Sequence, residues 1–372
     1  MKTIVVSAVN LKVGGTLTIL RGCLQYLSEL AETGAYRIVA LIYRKELALF
    51  PNIEYIEMQW PKKNWGFRLW CEYVTMKKYA NQLSPVYLWL SLHDATPNVV
   101  AERRVVYCHN SFPYYKWKLR EWWFAPKIVL FALFTKYIYR KNMDKNKYVV
   151  VQQEWMKQDF IHSFGLKEKS IIVAPPPVIL KNQPDGIAEP DHTAQCDYSF
   201  LYAAAPDSHK NFECICQAAK ILEEKKGISN FKVYITVKGN ENRYAGWLFR
   251  KWGKAVNQLH FTGYLDKPSL YAFYHRCHCL IFPSKVETWG LPITEFSAYK
   301  KPMLLADLPY ARETAGGCSK VAFFNPDDPN ELAVKMKRLI QGDDSFLTTP
   351  EETIIPPPVA RSWQELFDIL LT

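Results

Sequence analysis

The stretch Phe282-Pro283-Ser284-Lys285-Val286-Glu287-Thr288-Trp289-Gly290-Leu291-Pro292-Ile293-Thr294-Glu295 joins a strand, a loop and a helix in fourteen residues. An apolar run ends at Phe282, the loop carries Glu287, and Gly290-Leu291-Pro292 opens a helix. Pro292 sits in the first turn, where its missing N–H costs little. The start of a helix offers unpaired backbone N–H groups and a partial positive charge, which together suit a diphosphate. Glu287 falls just outside that terminus and Glu295 about one turn inside it. Carboxylates repel phosphate, so beside an anion site they address hydroxyls, and a sugar nucleotide carries hydroxyls on both sides of its pyrophosphate. On spacing alone, a helix-capping Glu287 and a solvated Glu295 remain an equal alternative.

Outward from this stretch, short apolar runs alternate with helix-like segments. In the first half they are Thr3–Val9, Tyr36–Tyr43, Val86–Leu92, Arg104–Cys108, Tyr148–Val151 and Ile171–Ala174. In the second they are Tyr198–Ala203, Phe231–Val237, Leu259–Phe261, Cys279–Phe282, Met303–Ala306 and Val321–Phe324. The runs are continuously hydrophobic, as parallel strands covered on both faces must be. Asn211–Glu224 and Pro329–Ile340 suit amphipathic helices between them. The pattern predicts an α/β protein of two doubly wound parallel-sheet, Rossmann-like domains facing across a cleft. The 372 residues are too many for one ordinary domain. Pro175-Pro176-Pro177 and the polar stretch through Pro184, Gly186 and Pro190 read as the linker. The domains expected are therefore 1–178 and 179–359, with a terminal helix in 360–372 after Pro356-Pro357-Pro358 that docks back on the first.

Bulk properties narrow the class. Residues 1–180 hold 25 Lys and Arg against 13 Asp and Glu, whereas 181–372 hold 22 against 23. The basic excess of the first half implies an acidic partner: anionic lipid, nucleic acid or a phosphorylated substrate. Met1–Val9 reads as a first strand, not a signal peptide, because its apolar run is short and leads into a glycine turn. No stretch is apolar for long enough to span a bilayer. The nine cysteines are odd in number and scattered, which fits reduced thiols in the cytoplasm. His275-Arg276-Cys277-His278-Cys279 is too tightly spaced for one tetrahedral metal site, and it is read as structural.

The block Pro283–Glu295 resembles the signature of the retaining glycosyltransferases of family 4, which have the GT-B fold: P-S-x-x-E-x-[FW]-G-L-P-x-x-E. The resemblance runs on through Ala298-Tyr299-Lys300-Lys301-Pro302, Arg312-Glu313-Thr314-Ala315-Gly316-Gly317 and Phe324-Asn325-Pro326-Asp327-Asp328-Pro329-Asn330-Glu331-Leu332. It implies that Glu287 contacts the donor sugar near the reacting carbon and that Glu295 holds the ribose hydroxyls. It implies further that the amides around Thr288, Trp289, Gly290 and Leu291 bind phosphate and sugar. Lys210, before Asn211, matches the family lysine that neutralises the leaving diphosphate. The arginine usual some six residues earlier is absent: Ala204 stands there, and Lys238 or Arg243 is left to substitute.

In the first half, Gly14 and Gly15 follow the first strand, and the resemblance places them over donor phosphates and acceptor. His109 ends the strand Arg104–Cys108 and resembles the family's active-site histidine. Taken alone, a Gly-Gly turn is ordinary turn chemistry and a strand-end histidine is more often structural. Residues 112–147 interleave aromatics with nine Lys and Arg against Glu121 and Asp144. That composition suits an anionic membrane surface; single-strand nucleic-acid stacking and a core-facing helix with snorkelling lysines are the alternatives.

The expectation is a metal-independent, retaining glycosyltransferase. It would move a sugar from a UDP- or GDP-linked donor to a glycan or lipid-linked acceptor in surface-polysaccharide assembly, at the inner face of the plasma membrane. No cofactor and no nucleic-acid partner are expected, because paired glutamates would repel a phosphate backbone. A sugar-nucleotide epimerase or phosphorylase, and a non-catalytic protein on a degenerate scaffold, are the rivals.

Overall fold

The computed structural model describes residues 1–176, 197–225 and 227–372. Most of the proline-rich linker lies outside the described residues. The chain forms two compact units: Met1–Asn110, Phe134–Pro177 and Ile354–Thr372 make the first, Ser111–Leu133 and Val178–Thr353 the second.

The first unit holds seven parallel strands: β1 (Lys2–Ala8), β2 (Tyr36–Ile42), β3 (Ile53–Glu57), β4 (Val86–Ser91), β5 (Arg103–Tyr107), β6 (Tyr148–Val151) and β7 (Ile171–Val173). Their order is β3-β2-β1-β4-β5-β6-β7. The register of β1 on β2 sets Ile4 beside Ile38 and Val5 beside Val39. Successive side chains point to opposite faces: Ile4, Val6, Ile38 and Ala40 join one core, Val5, Val39 and Leu41 the other. Both faces are buried, which is why these strands read as unbroken apolar runs. β3 lacks a continuous apolar run because Ile53-Glu54-Tyr55-Ile56-Glu57 is an edge strand with no buried residue and two exposed glutamates.

Helix Trp363–Leu371 packs into the first core through Leu366, Phe367 and Leu370. Ser362 caps its start by accepting from Glu365 N at 3.1 Å. Its last carbonyls accept from Tyr87 OH at 2.6 Å and from the Arg103 guanidinium at 2.9 and 3.0 Å. Cationic donors at a C-terminus complement the helix dipole. Gly22, in helix Gly14–Ala31, leaves room for the Trp363 indole.

The second unit holds six parallel strands: β8 (Tyr198–Tyr202), β9 (Phe231–Ile235), β10 (Leu259–Phe261), β11 (Cys279–Phe282), β12 (Met303–Ala306) and β13 (Val321–Phe324). Their order is β10-β9-β8-β11-β12-β13. The chain runs from β8 outward to β10, then returns to β11 on the other side of β8. That reversal opens a crevice at the carboxyl ends of β8 and β11, where open α/β sheets receive ligands. Residues 111–133 join this unit through ion pairs, Lys118 to Asp327 at 2.9 Å and Arg120 to the buried Glu213.

Among the described residues no helix is long and apolar enough to cross a membrane. The eight described cysteines are unpaired with one another, and seven are buried.

Candidate functional site

Lys210 and Glu287 lie seventy-seven positions apart in sequence and form an ion pair. The pairing follows from topology: Lys210 ends the turn after β8, and Glu287 lies in the loop after β11, the two strands that flank the crevice. Each side chain keeps 16% of its surface open to solvent, so the pair is held in place yet reachable.

The frame beneath it is a set of hydrogen bonds to backbone. Asn211 adopts left-handed backbone, φ 58°, a conformation asparagine tolerates better than most residues. Its buried amide donates to Pro283 O at 3.2 Å and to Pro326 O at 2.7 Å, tying the loops after β8, β11 and β13 together. Tyr202 OH donates to Lys210 O at 2.8 Å, Lys285 N to His209 O at 2.8 Å and Tyr310 OH to Ser284 O at 2.7 Å. The Lys285 ammonium bonds Asp327 at 2.8 Å. Burial works upward on Asp327, yet hydrogen bonds from Lys285 and Lys118 hold its carboxyl down at about 2.

Gly290 precedes helix Leu291–Ser297 with φ 89°, and no side chain caps that helix. A Cβ at Gly290 would meet Ile293 Cδ1 at 3.1 Å, so glycine serves both conformation and space. Trp289 is fixed by its indole N–H, which donates to Thr294 Oγ1 at 2.9 Å, and its carbonyl accepts from Thr314 Oγ1. Thr288 and Leu291 are partly exposed beside it. One turn on, Oε2 of Glu295 accepts from Tyr274 OH at 3.1 Å. Burial pushes the Glu295 carboxyl upward, opposed by that hydrogen bond and by Lys267. The loops after β8 and β11 thus bring Lys210 and Glu287 together, and Gly290 and Glu295 follow Glu287 along the same loop and helix.

In the first unit, Gly14 (φ 65°) and Gly15 open helix Gly14–Ala31 directly after β1. Both are exposed, and a Cβ at Gly14 would meet nothing within 4 Å. His109 follows β5 and stacks on the Tyr107 ring at 4.4 Å. Its backbone N–H donates to Asp94 Oδ1 at 2.5 Å. Burial lowers the His109 imidazole to about 4, so the ring is neutral at pH 7.

Three features were illegible in the sequence. Tyr274 reaches Glu295 from helix Lys267–Arg276, with no local motif to announce it. Asn211 appeared only as the residue after Lys210, whereas it is the knot of the loops. A buried set lies after β4: Arg68 NH2 stands 3.0 Å from Glu72 Oε1 and 2.8 Å from His93 Nδ1, and His93 Nδ1 is 3.2 Å from Glu72 Oε1. Burial raises Glu72 to about 7 and Asp94 to about 6. In the run 275–279, His278 Nδ1 accepts from Ser199 N at 3.0 Å and Arg276 lies 3.7 Å over Phe273, both packing roles. At the missing arginine, Ala204 exchanges backbone hydrogen bonds with Thr236 Oγ1, while Lys238 and Arg243 are exposed.

Two parallel α/β sheets of this kind define the class as the GT-B fold. Similar solved structures include sucrose-phosphate synthase from Thermosynechococcus elongatus (14% identity, 94% of this chain and 92% of that one, TM-score 0.66). HepE of Anabaena in complex with UDP is another (13% identity, 94% and 92%, TM-score 0.64). Residues 191–351, most of the second unit, match the family described as glycosyl transferases group 1. A curated relative, the serotype-specific mannosyltransferase WbdA of Escherichia coli, is 28% identical over 116 residues. That match spans 31% of this chain and 14% of the relative's length.

Proposed function

We propose that the protein is a retaining glycosyltransferase that moves a sugar from a nucleotide donor to a glycan or lipid-linked acceptor during surface-polysaccharide assembly. The observation that carries this reading is the meeting of Lys210 and Glu287 at the crevice between β8 and β11. The group 1 match and the mannosyltransferase likeness support it.

The second unit binds the donor. Glu295, oriented by Tyr274, accepts from the ribose hydroxyls. The amides from Thr288 to Leu291 face the diphosphate and sugar, and Glu287 addresses the sugar near its reacting carbon. Gly14, Gly15 and His109 in the first unit serve the acceptor and donor sugar. Transfer proceeds from the front side: the acceptor oxygen bonds to the anomeric carbon as the bond to the phosphate oxygen breaks. The leaving phosphate takes the acceptor proton. Lys210 offsets the charge that grows on the diphosphate, a role that removes the need for a metal ion. A neutral His109 can donate a hydrogen bond without adding charge.

The acceptor reading places the protein at the cytoplasmic face of the membrane. Segment 112–147 supports this with exposed Trp123, Phe134 and Tyr137. Lys118 and Arg120 contribute less, since ion pairs engage both.

Calorimetry with UDP and GDP, with and without magnesium, tests the assignment. One nucleotide is expected to bind in the micromolar range without metal, and Glu295→Ala should weaken it at least tenfold. Failure of a folded protein to bind either nucleotide overturns the reading.

A further inference from the structure

Between Met58 and His93 the surface departs from the mixed charge of an ordinary exposed helix. This stretch exposes Lys62, Lys63, Lys77 and Lys78, while its one acidic residue, Glu72, is buried and paired with Arg68. The helix Trp65–Trp70 runs through a π turn, Cys71–Thr75, into helix Met76–Gln82. Cys71, Met76 and Ala80 anchor one side in the core. The other side exposes Trp65, Phe67, Leu69, Trp70 and Val74, with Trp70 at 60%. Trp70, Val74 and Lys77–Lys78 follow one another at helical spacing, so apolar and cationic groups share a face.

A cavity of about 400 Å³ opens in this surface, lined by Trp60, Asn64, Gly66, Phe67 and Trp70. The Trp60 and Phe67 rings meet edge to face at 6.0 Å. Asn64 turns its Oδ1 to the backbone, where it accepts from Phe67 N at 2.9 Å, and the walls are aromatic. Such a pocket lacks the ring of acceptors and donors that a sugar requires, and it suits an alkyl or isoprenoid chain.

We propose that Trp60–Lys78 is a docking surface for an anionic lipid membrane, with one lipid chain entering the Trp60–Phe67–Trp70 pocket. Aromatic rings rest at headgroup depth, and lysines near an anionic surface add electrostatic attraction that salt screens. The charge is complementary: every exposed ionic group between Met58 and His93 is cationic. The surface is also tied to the loops at the carboxyl ends of β1 and β4. Lys62 Nζ donates to Asn10 O at 3.0 Å, ahead of Gly14, and Arg68 NH2 to His93 O at 3.2 Å, after β4. This docking is separate from the transfer reading and from the membrane role given to 112–147.

The test is co-sedimentation of the full chain with phosphatidylcholine vesicles, with and without about one third phosphatidylglycerol. The wild type should partition to the anionic vesicles, less so in high salt. The double variants Trp65→Ser/Trp70→Ser and Lys77→Glu/Lys78→Glu should each lose at least tenfold, more than Trp123→Ser/Tyr137→Ser loses. Melting curves confirm the fold of each variant, and UDP binding, measured apart, reports on the transfer reading alone. Wild-type binding that ignores lipid charge overturns the proposal. So does full binding by either Trp65–Lys78 variant, or a loss confined to the Trp123/Tyr137 variant.

Discussion

The hydroxyl of Tyr274 donates a hydrogen bond of 3.1 Å to Oε2 of Glu295, from a helix that shares no motif with it. Tyr274 is fully buried, and Glu295 is half-buried. The bond holds Oε2 of Glu295 on Tyr274. Tyr274→Phe should therefore weaken nucleotide binding by about 1 kcal/mol, roughly fivefold, through lost orientation. Calorimetry with UDP or GDP reads this directly. An unchanged dissociation constant in the variant would show that Glu295 needs no such support.

The ion pair of Lys210 with Glu287 predicts non-additive losses. Lys210→Met should lower kcat about 10²- to 10³-fold, the range for removing one preorganised charge partner in a transition state. Glu287→Gln should cost a comparable factor. Because the two side chains share one contact, the double variant should lose far less than the product of the two. Steady-state rates of the three variants provide the check, and fully multiplicative losses would show that the two act independently.

Glu72 makes first-unit stability depend on pH. Its carboxyl, raised by burial to about 7, keeps a proton that the unfolded chain releases in the ordinary carboxylate range. The folded state thus binds more protons, and this contribution declines as pH rises from about 4.5 to about 7.5. His93 and His109, both lowered by burial, act with the opposite sign below about pH 6.5. Glu72→Gln mimics the protonated acid. It should leave the melting temperature nearly unchanged at pH 5 and raise it at pH 8, by on the order of 2–3 kcal/mol of stability. An equal shift at both pH values would contradict the assignment.

Gly22 is set by a contact that only folding creates. A Cβ there would approach Trp363 Nε1 to 2.6 Å. Gly22→Ala would gain helix propensity but should destabilise the first unit by about 1–3 kcal/mol, because the indole must move. Thermal unfolding measures the sum, and a stabilised variant would show that the terminal helix shifts freely.

The strand–helix alternation was legible in the sequence because both faces of each sheet are buried, which forces continuous apolar runs such as Ile4–Val6 and Leu280–Phe282. Edge strand β3 was not, since none of its residues is buried and Glu54 and Glu57 interrupt the apolar run. The block from Pro283 to Glu295 was legible because the strand, loop and helix of one crevice wall are contiguous in the chain. Lys210 stood out only beside that block.

The sequence by itself determined the two series of parallel strands, the glycine-opened helix at Gly290 and the identities of Glu287 and Glu295, since each depends on neighbours within a few residues. Only the tertiary structure decided that Lys210 meets Glu287, that Tyr274 holds Glu295 and that Asn211 joins three loops. It also drew 111–133 into the second unit through Arg120 and Glu213, and set Trp70 outward while burying Glu72. These are contacts between residues tens of positions apart. Strand order and packing against the core create them, and local periodicity carries no record of either.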